Sequence, residues 1–389
     1  MGKNPVIAVV TGTRAEFGLL LPVIKRIEAH AGLALSLIVT GAHLCESLGG
    51  TVKEIERAGV PIAKRIDILP DGERTKATEA AAVALREFSR YFSETKPDVV
   101  VVLGDRYEIF AATAAAAMCD IPVAHISGGE TTEGAKDEFF RHCITKMSAL
   151  HFASTDAYRK RIIQLGEQPE NVYFAGSLGA ENIKTLLVIP REELSREIGF
   201  DVSHDFLLCT YHPETLCGVS PKEGAAELLA ALDAAGLPVL FTAANADDGG
   251  REINEAIRAY CEKRENARLV DSLGAVRYLS AMRYCKAVIG NSSSAIVESP
   301  TLKKPAVNIG ERQTGRIKGE NNIDCATERG AIAAAIKKAV STEFQTSVEN
   351  MESPYGRGGA SEVIVGAIEE RVCSLTTKKT FYDVDFEVK

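Results

Sequence analysis

Three stretches of the chain set charged residues directly behind short apolar runs. Thr11-Gly12-Thr13-Arg14-Ala15-Glu16 follows Val6–Val10, and Gly104-Asp105-Arg106-Tyr107-Glu108 follows Asp98–Leu103. Ser127-Gly128-Gly129-Glu130 follows Pro122–Ile126 and leads through Glu133 to Asp137, Glu138, Arg141 and His142. Several carboxylates near one loop suit acid–base chemistry. Crowded carboxyls raise one another's pKa, so that one stays protonated while another serves as base. Arg14, Arg106 and Arg141 add the cations that an anionic ligand needs. A second set lies further along. Tyr211-His212-Pro213-Glu214 and Asn245-Ala246-Asp247-Asp248 each follow an apolar run, and Gly290-Asn291-Ser292-Ser293-Ser294 opens a short helix carrying Glu298. Gly310-Glu311-Arg312 leads to Arg316. Hydroxyl residues at a helix start offer free N–H groups and a favourable dipole to a phosphate. Glu298, one turn on, can accept hydrogen bonds from ribose hydroxyls. Each residue also has a plainer reading. Asp105 alone could cap its helix, the Glu130 loop could be a solvated acidic surface, and His212, held extended by Pro213, is as often structural as catalytic.

These residues need elements to hold them. Strands are predicted at Val6–Val10, Leu35–Thr40, Asp98–Leu103, Pro122–Ile126 and Val172–Ala175, then at Phe206–Tyr211, Pro238–Ala243, Ala287–Gly290 and Pro305–Ile309, with helical stretches between. Continuous apolar strands alternating with helices mean parallel sheets covered on both faces. Ligands of such sheets bind at the carboxyl ends of the strands, where the polar stretches fall. The series pauses near Pro190, which divides the chain into an N-terminal domain at 1–185 and a C-terminal domain at 186–360. Residues 361–389 follow as a helix and tail, with Ile364, Ile368 and Val372 on one helical stripe. Packing of that helix back onto the first domain is an option that periodicity leaves open. The last dozen residues read as a loosely held polar extension.

Composition narrows the classes. The chain has 389 residues, 46% hydrophobic and 25% charged, with a formal charge of −8. That is ordinary for a globular protein, and no basic stripe points to nucleic acid. No run approaches the roughly 20 apolar residues of a membrane span. Nine scattered cysteines without a CxxC pair signal neither zinc nor a disulfide framework, so a reducing compartment, the cytoplasm, is expected. GxGxxG and Walker-lysine fingerprints are absent, which weakens NAD and ATPase readings. No residue set has metal-ligand spacing. What is left is a two-part enzyme for a nucleotide diphosphate carrying another group.

The ordered motifs Thr-Gly-Thr-Arg14, Gly-Asp105-Arg106, Gly-Gly-Glu130 through Asp137, Arg141-His142-Cys-Ile-Thr-Lys146, His212-Pro213, Gly-Asn-Ser292-Ser-Ser and Gly-Glu-Arg312-Gln-Thr-Gly-Arg316 resemble the UDP-N-acetylglucosamine 2-epimerase family. The hydrolysing branch of the sialic and legionaminic acid pathways is most similar. The resemblance implies an α/β, glycosyltransferase-B-like fold, with two Rossmann-type domains whose parallel sheets face a central cleft. It implies that Ser292, Ser293, Glu298 and Arg312 hold UDP, with Arg14 and His212 near the diphosphate and Asn245 at a sugar or phosphate contact. Asp105, Glu130, Asp137 and His212 become the catalytic candidates, with Arg106 and Arg141 beside them. The implied reaction takes UDP-N-acetylglucosamine and water to N-acetylmannosamine and UDP. It eliminates UDP to a 2-acetamidoglucal, which is then hydrated, with no cofactor and no metal. The partners implied are the UDP-sugar substrate and the UDP product, with no nucleic acid and no membrane, in a homo-oligomer (dimer or tetramer). One departure stands out: Ser127 occupies a position where many members carry Glu. The run Gly128-Gly-Glu-Thr-Thr-Glu-Gly134 also resembles a sub-branch acting on UDP-2,4-diacetamido-2,4,6-trideoxyglucose, the alternative substrate. A UDP-sugar glycosyltransferase and a non-catalytic UDP-sugar sensor are the rival readings.

Overall fold

Two all-parallel sheets organise the chain. The computed structural model describes residues 4–385 except 47–49, 132–136, 186, 214–219, 245–248 and 357. The first sheet contains β1 (Val6–Thr11), β2 (Ala34–Thr40), β3 (Ile62–Ile66), β4 (Val99–Leu103), β5 (Val123–Ile126), β6 (Leu150–Ala153) and β7 (Val172–Phe174), in the order β3-β2-β1-β4-β5-β6-β7. The second contains β8 (Leu207–Thr210), β9 (Val239–Thr242), β10 (Ala267–Val270), β11 (Ala287–Gly290), β12 (Ala306–Ile309) and β13 (Asn322–Cys325), in the order β10-β9-β8-β11-β12-β13. Both orders reverse direction once, between β1 and β4 and between β8 and β11. Such switch points open a crevice at the strands' carboxyl ends.

The central strands are largely apolar because helices cover both faces. Ile7, Val9, Val99 and Val101 point into one core with Leu20, Ile24 and Ile27, whereas Ala8, Val10, Val100 and Val102 point into another with Phe88, Phe92 and Ala112. The second sheet divides its residues in the same way, Leu207 and Ile289 to one side and Leu208 and Val288 to the other. Four strands escape the sequence reading. β3 and β13 are exposed edges with charged or polar residues, β10 is a four-residue edge, and β6 is four residues long with His151 inside it. None offers a long apolar run.

Residues up to Asn182 form one compact unit together with the chain from Gly358 onward, and the stretch from Ile183 to the residues before Gly358 forms the other. The last helix, Ala360–Arg371, buries Ile364, Val365 and Ile368 in the core of the first unit. Glu181 accepts from Ser361 N at 2.6 Å at that helix's N-terminal end, where a carboxylate is favoured. The tail beyond it is seated, contrary to the expectation of a loose extension. Lys379 Nζ donates to Glu167 Oε2 at 2.6 Å and to the Ser148 carbonyl at 2.6 Å, and Tyr382 N donates to the Gly166 carbonyl at 2.9 Å. Phe381 lies over Gly166, which has no side chain to block it.

Gly290, the last residue of β11, has φ +129°, and a Cβ there would sit on the Thr210 carbonyl oxygen of the neighbouring strand. Gly290→Ala is therefore expected to destabilise the second unit by about 3 kcal/mol, measured as a lower urea midpoint. A midpoint unchanged from the parent chain would contradict this packing.

Candidate active site

In the first unit the switch point gathers charge. Arg141, on the helix Asp137–Met147, is only 4% exposed, and its guanidinium is fully engaged. Nη2 pairs closely with Asp105, while Nη1 donates to Glu138 Oε2 at 2.6 Å and to the Glu130 carbonyl at 2.9 Å. The loops after β4 and β5 are thus tied to one cation. Glu138 also meets His142 Nε2 at 3.1 Å. Asp137 feels Asp105, Arg106 and Arg141, and its carboxyl is pushed above the ordinary range by partial burial and then by the Asp105 charge. Asp105 pairs with the buried cation, and Asp137 beside it is the carboxyl that is shifted upward.

The loop after β5 has an uncommon backbone. Ser127 has φ +65°, a left-handed conformation rare outside glycine. Gly129 has φ +74°, and a Cβ on it would press on the Tyr158 carbonyl. His125 is buried and held neutral, its pKa lowered to about 3 by desolvation. Its Nε2 lies 2.8 Å from the Gly104 carbonyl and so carries the proton, while Nδ1 accepts from Thr145 at 3.2 Å. This histidine braces β5 against the β4 loop. Glu130 accepts from Ser154 Oγ at 2.7 Å, so its carboxylate bonds at the end of β6 while its carbonyl serves Arg141.

Two further acids lie between β1 and β4. Glu16 and Glu108 are buried on either side of Arg106, which donates from Nε to Glu108 Oε1 at 2.6 Å and lies 3.9 Å from Glu16 Oε1. Burial first and the Glu108 charge second push Glu16 up to about 7. Arg14 opens the helix Arg14–Ala29, is exposed, and pairs with Glu54 at 3.2 Å.

In the second unit the hub is an amide. Asn291 Oδ1 accepts from His212 N at 2.7 Å and its Nδ2 donates to the His212 carbonyl at 2.9 Å. Its own carbonyl accepts from Gln313 Nε2 at 2.8 Å and from Arg312 Nη1 at 3.3 Å. The loops after β8, β11 and β12 are joined there. Ser293 is exposed, and the Ser292 hydroxyl accepts from Ser294 N at 3.4 Å. The helix that follows is one turn, Ser294–Val297, with Glu298 as its C-cap, too short to build up a substantial helix dipole. Glu298 is pushed up by burial, and its Oε2 is sealed without a hydrogen-bond partner. Beside it opens a depression of about 300 Å³ lined by Thr210, Thr242, Asp271, Tyr278, Ser292 and Ser294.

Asp105, Arg106, Asp137 and Arg141 thus come together in the first unit, with Glu130 adjoining. Ser292, Ser293, Glu298, Arg312 and His212 gather in the second. Asn245 lies outside the described residues, as do Glu133 and Glu214. Glu16, Glu108, Glu138 and Asn291 escaped selection. A signal for the first two existed: Arg14-Ala-Glu16 and Arg106-Tyr-Glu108 repeat one spacing behind the two strands that flank the switch point. Among the described residues, no group of three or more His, Cys, Asp or Glu is arranged to hold a metal ion, and no helix is long and apolar enough to cross a membrane.

The family model described as UDP-N-acetylglucosamine 2-epimerase matches residues 25–369. A Campylobacter jejuni protein named GDP/UDP-N,N'-diacetylbacillosamine 2-epimerase (hydrolyzing) is 41% identical over 342 residues, 87% of this chain and 88% of its own length. The Escherichia coli polysialic acid biosynthesis protein P7 is 38% identical, covering 96% of each chain. Among solved structures, the UDP-GlcNAc 2-epimerase of Neisseria meningitidis bound to UDP-GlcNAc superposes with a TM-score of 0.78 at 20% identity, over 94% of this chain and all of the other. The glycosyltransferase-B-like fold with two Rossmann-type sheets is common to both.

Glu16 also makes stability depend on pH. A carboxyl raised from 4.5 to about 7 in the folded chain lends stability that is fully present below 4.5 and lost as pH rises through 7. Glu16→Gln removes that loss. It is expected to raise the unfolding midpoint at pH 8 by an amount worth up to about 3 kcal/mol and to change it little at pH 4.5. Equal shifts at both pH values would contradict the assignment.

Proposed function

The chain belongs to the UDP-N-acetylglucosamine 2-epimerase family, and from that premise we propose that it hydrolyses and epimerises a UDP-sugar, UDP-2,4-diacetamido-2,4,6-trideoxyglucose ahead of UDP-N-acetylglucosamine. The observation that carries the reaction class is the pair Asp105 and Asp137 beside the buried Arg141. The sugar C2–H is weakly acidic, so its removal needs an aimed base, and departure of the diphosphate from C1 needs electrostatic support. One carboxylate of the pair takes the C2 proton as the C1–O bond breaks, leaving the C1=C2 double bond of a glucal and free UDP. Water then adds its oxygen to C1, and C2 receives a proton from the opposite face. A second carboxyl held nearer its neutral form suits that last step. Ser292, Ser293, Glu298 and Arg312, gathered in the second unit, suit the nucleotide and its diphosphate, and His212 is assigned to the same anion.

The choice of sugar rests on the relative that is 41% identical and named for diacetylbacillosamine, together with the Gly128–Gly134 run. UDP-N-acetylglucosamine is kept as the second reading by the matching family model, which is described by that substrate.

Initial rates of UDP release from the two sugars, with no acceptor added, test the choice. A kcat/KM at least about tenfold higher for the diacetamido sugar is expected, and the reverse ratio would install UDP-N-acetylglucosamine. Faster turnover of the GDP-linked diacetamido sugar would overturn the uridine assignment. Asp105→Asn should lower kcat by about 100-fold or more on the preferred substrate while UDP still binds. Unchanged kcat would remove Asp105 from the chemistry.

A further inference from the structure

The acid–base pair leaves one buried charge set unused. Glu16 and Glu108 stand in the first turns of the helices that follow β1 and β4, 7% and 1% exposed. Both turn toward the one guanidinium of Arg106. Gly12 makes the fit possible: its N–H donates to Glu16 Oε2 at 2.7 Å, and a Cβ there would press on Glu108 Cγ and Oε1 at 3.0 Å. Glu16 Oε1 and Glu108 Oε2 are sealed from water without a hydrogen-bond partner. Among the described residues, Arg106 bonds to Glu108 through Nε, and its side chain stays 46% exposed. A half-exposed guanidinium anchored at Nε can offer its Nη fork to an oxyanion.

We propose that Glu16 is a positioning residue that carries a proton in the working enzyme, so that Arg106 can accept an anionic oxygen of the nucleotide-sugar. With Glu16 neutral, Arg106 and Glu108 sum to zero charge. With Glu16 ionised, the same water-poor pocket carries a net negative charge that repels an anion. Burial and the Glu108 charge favour the protonated form of Glu16 and outweigh Arg106 and the Gly12 and Thr13 N–H groups, which favour the ionised one. Glu108 and Arg106 come from the helix after β4, and the Gly12 and Thr13 backbone from its own loop. His43, after β2, is bonded to Thr11 Oγ1 at 3.1 Å and kept neutral, lowered to about 4 by burial. Asp137, from the helix after β5, senses Arg106 and Glu108, and Arg14 is turned to Glu54. Among the described residues, Arg106 is the counter-charge that Glu16 meets, consistent with a carboxyl poised at about 7.

The inference rests on the UDP-sugar reading, and the test separates the two. Calorimetry of UDP binding at pH 7.5, in buffers of different ionisation enthalpy, counts the protons taken up. The parent chain should take up more than Glu16→Gln, and equal uptake overturns the proposal. Across pH 6–9, KM of the parent should rise about tenfold between pH 7 and 8.5 with little change in kcat, and Glu16→Gln should flatten that rise to within about twofold. A rise that persists in Glu16→Gln, or a uniform loss of kcat with the rise intact, marks a merely structural glutamate. Should Glu16→Gln fail to fold, Glu16→Asp must keep the KM rise at a displaced pH, and an undisplaced rise overturns the proposal. UDP binding with Glu16-dependent proton uptake but no turnover of any UDP-sugar would leave this role standing and bring down the substrate reading.

Discussion

The candidate catalytic unit depends on one buried cation. Arg141 is removed from water, and a guanidinium so placed is tolerable only if carboxylates and carbonyls meet it. Asp105, Glu138 and the Glu130 carbonyl do so, and each arrives from a different place: the loop after β4, the helix carrying Arg141, and the loop after β5. Balancing this charge therefore fixes the relative positions of three segments. It also orients Asp105 and sets the environment in which Asp137 is shifted. Loss of one partner would leave a buried charge unmatched, a penalty of about 3–5 kcal/mol, so geometry and chemistry at this point are inseparable.

The second unit reaches a similar end with a neutral group. The Asn291 amide closes a two-way bond with the His212 backbone, and its carbonyl takes Gln313 and Arg312. An amide joins these loops without adding a charge to the junction. Gly290, whose backbone no other residue could readily adopt, delivers Asn291 to that position. Strand ends, glycine and one buried polar hub recur in both units, with the sign of the chemistry changed.

Much of this was legible in the chain itself. Val99–Leu103 and Ala287–Gly290 read as buried parallel strands because they are unbroken apolar runs, and the polar residues behind them mark the carboxyl ends. β3 and β13 did not, because an edge strand with Lys64, Arg65 or Asp324 shows no apolar pattern. Asp105 and Arg141 could be nominated separately, but their mutual ion pair spans 36 residues and has no local signature. Glu16 and Glu108 were obscured for another reason: an acid in the first helical turn is ordinary, since the helix dipole welcomes it, so burial rather than residue type makes them unusual. The tail was misjudged similarly. Lys379 looks like a solvated charge until the buried Glu167, lowered to about 2 by His151, Lys146 and Lys379, is found beneath it.

The central claim is that this carboxyl–arginine centre breaks the C2–H bond and expels UDP from C1 of a UDP-sugar. Proton NMR of the reaction in D₂O, with the diacetamido sugar nucleotide and no acceptor, tests it most directly. The account predicts free UDP together with a manno-configured free sugar carrying deuterium at C2. Release of UDP with a gluco-configured sugar that keeps its C2 proton would contradict it.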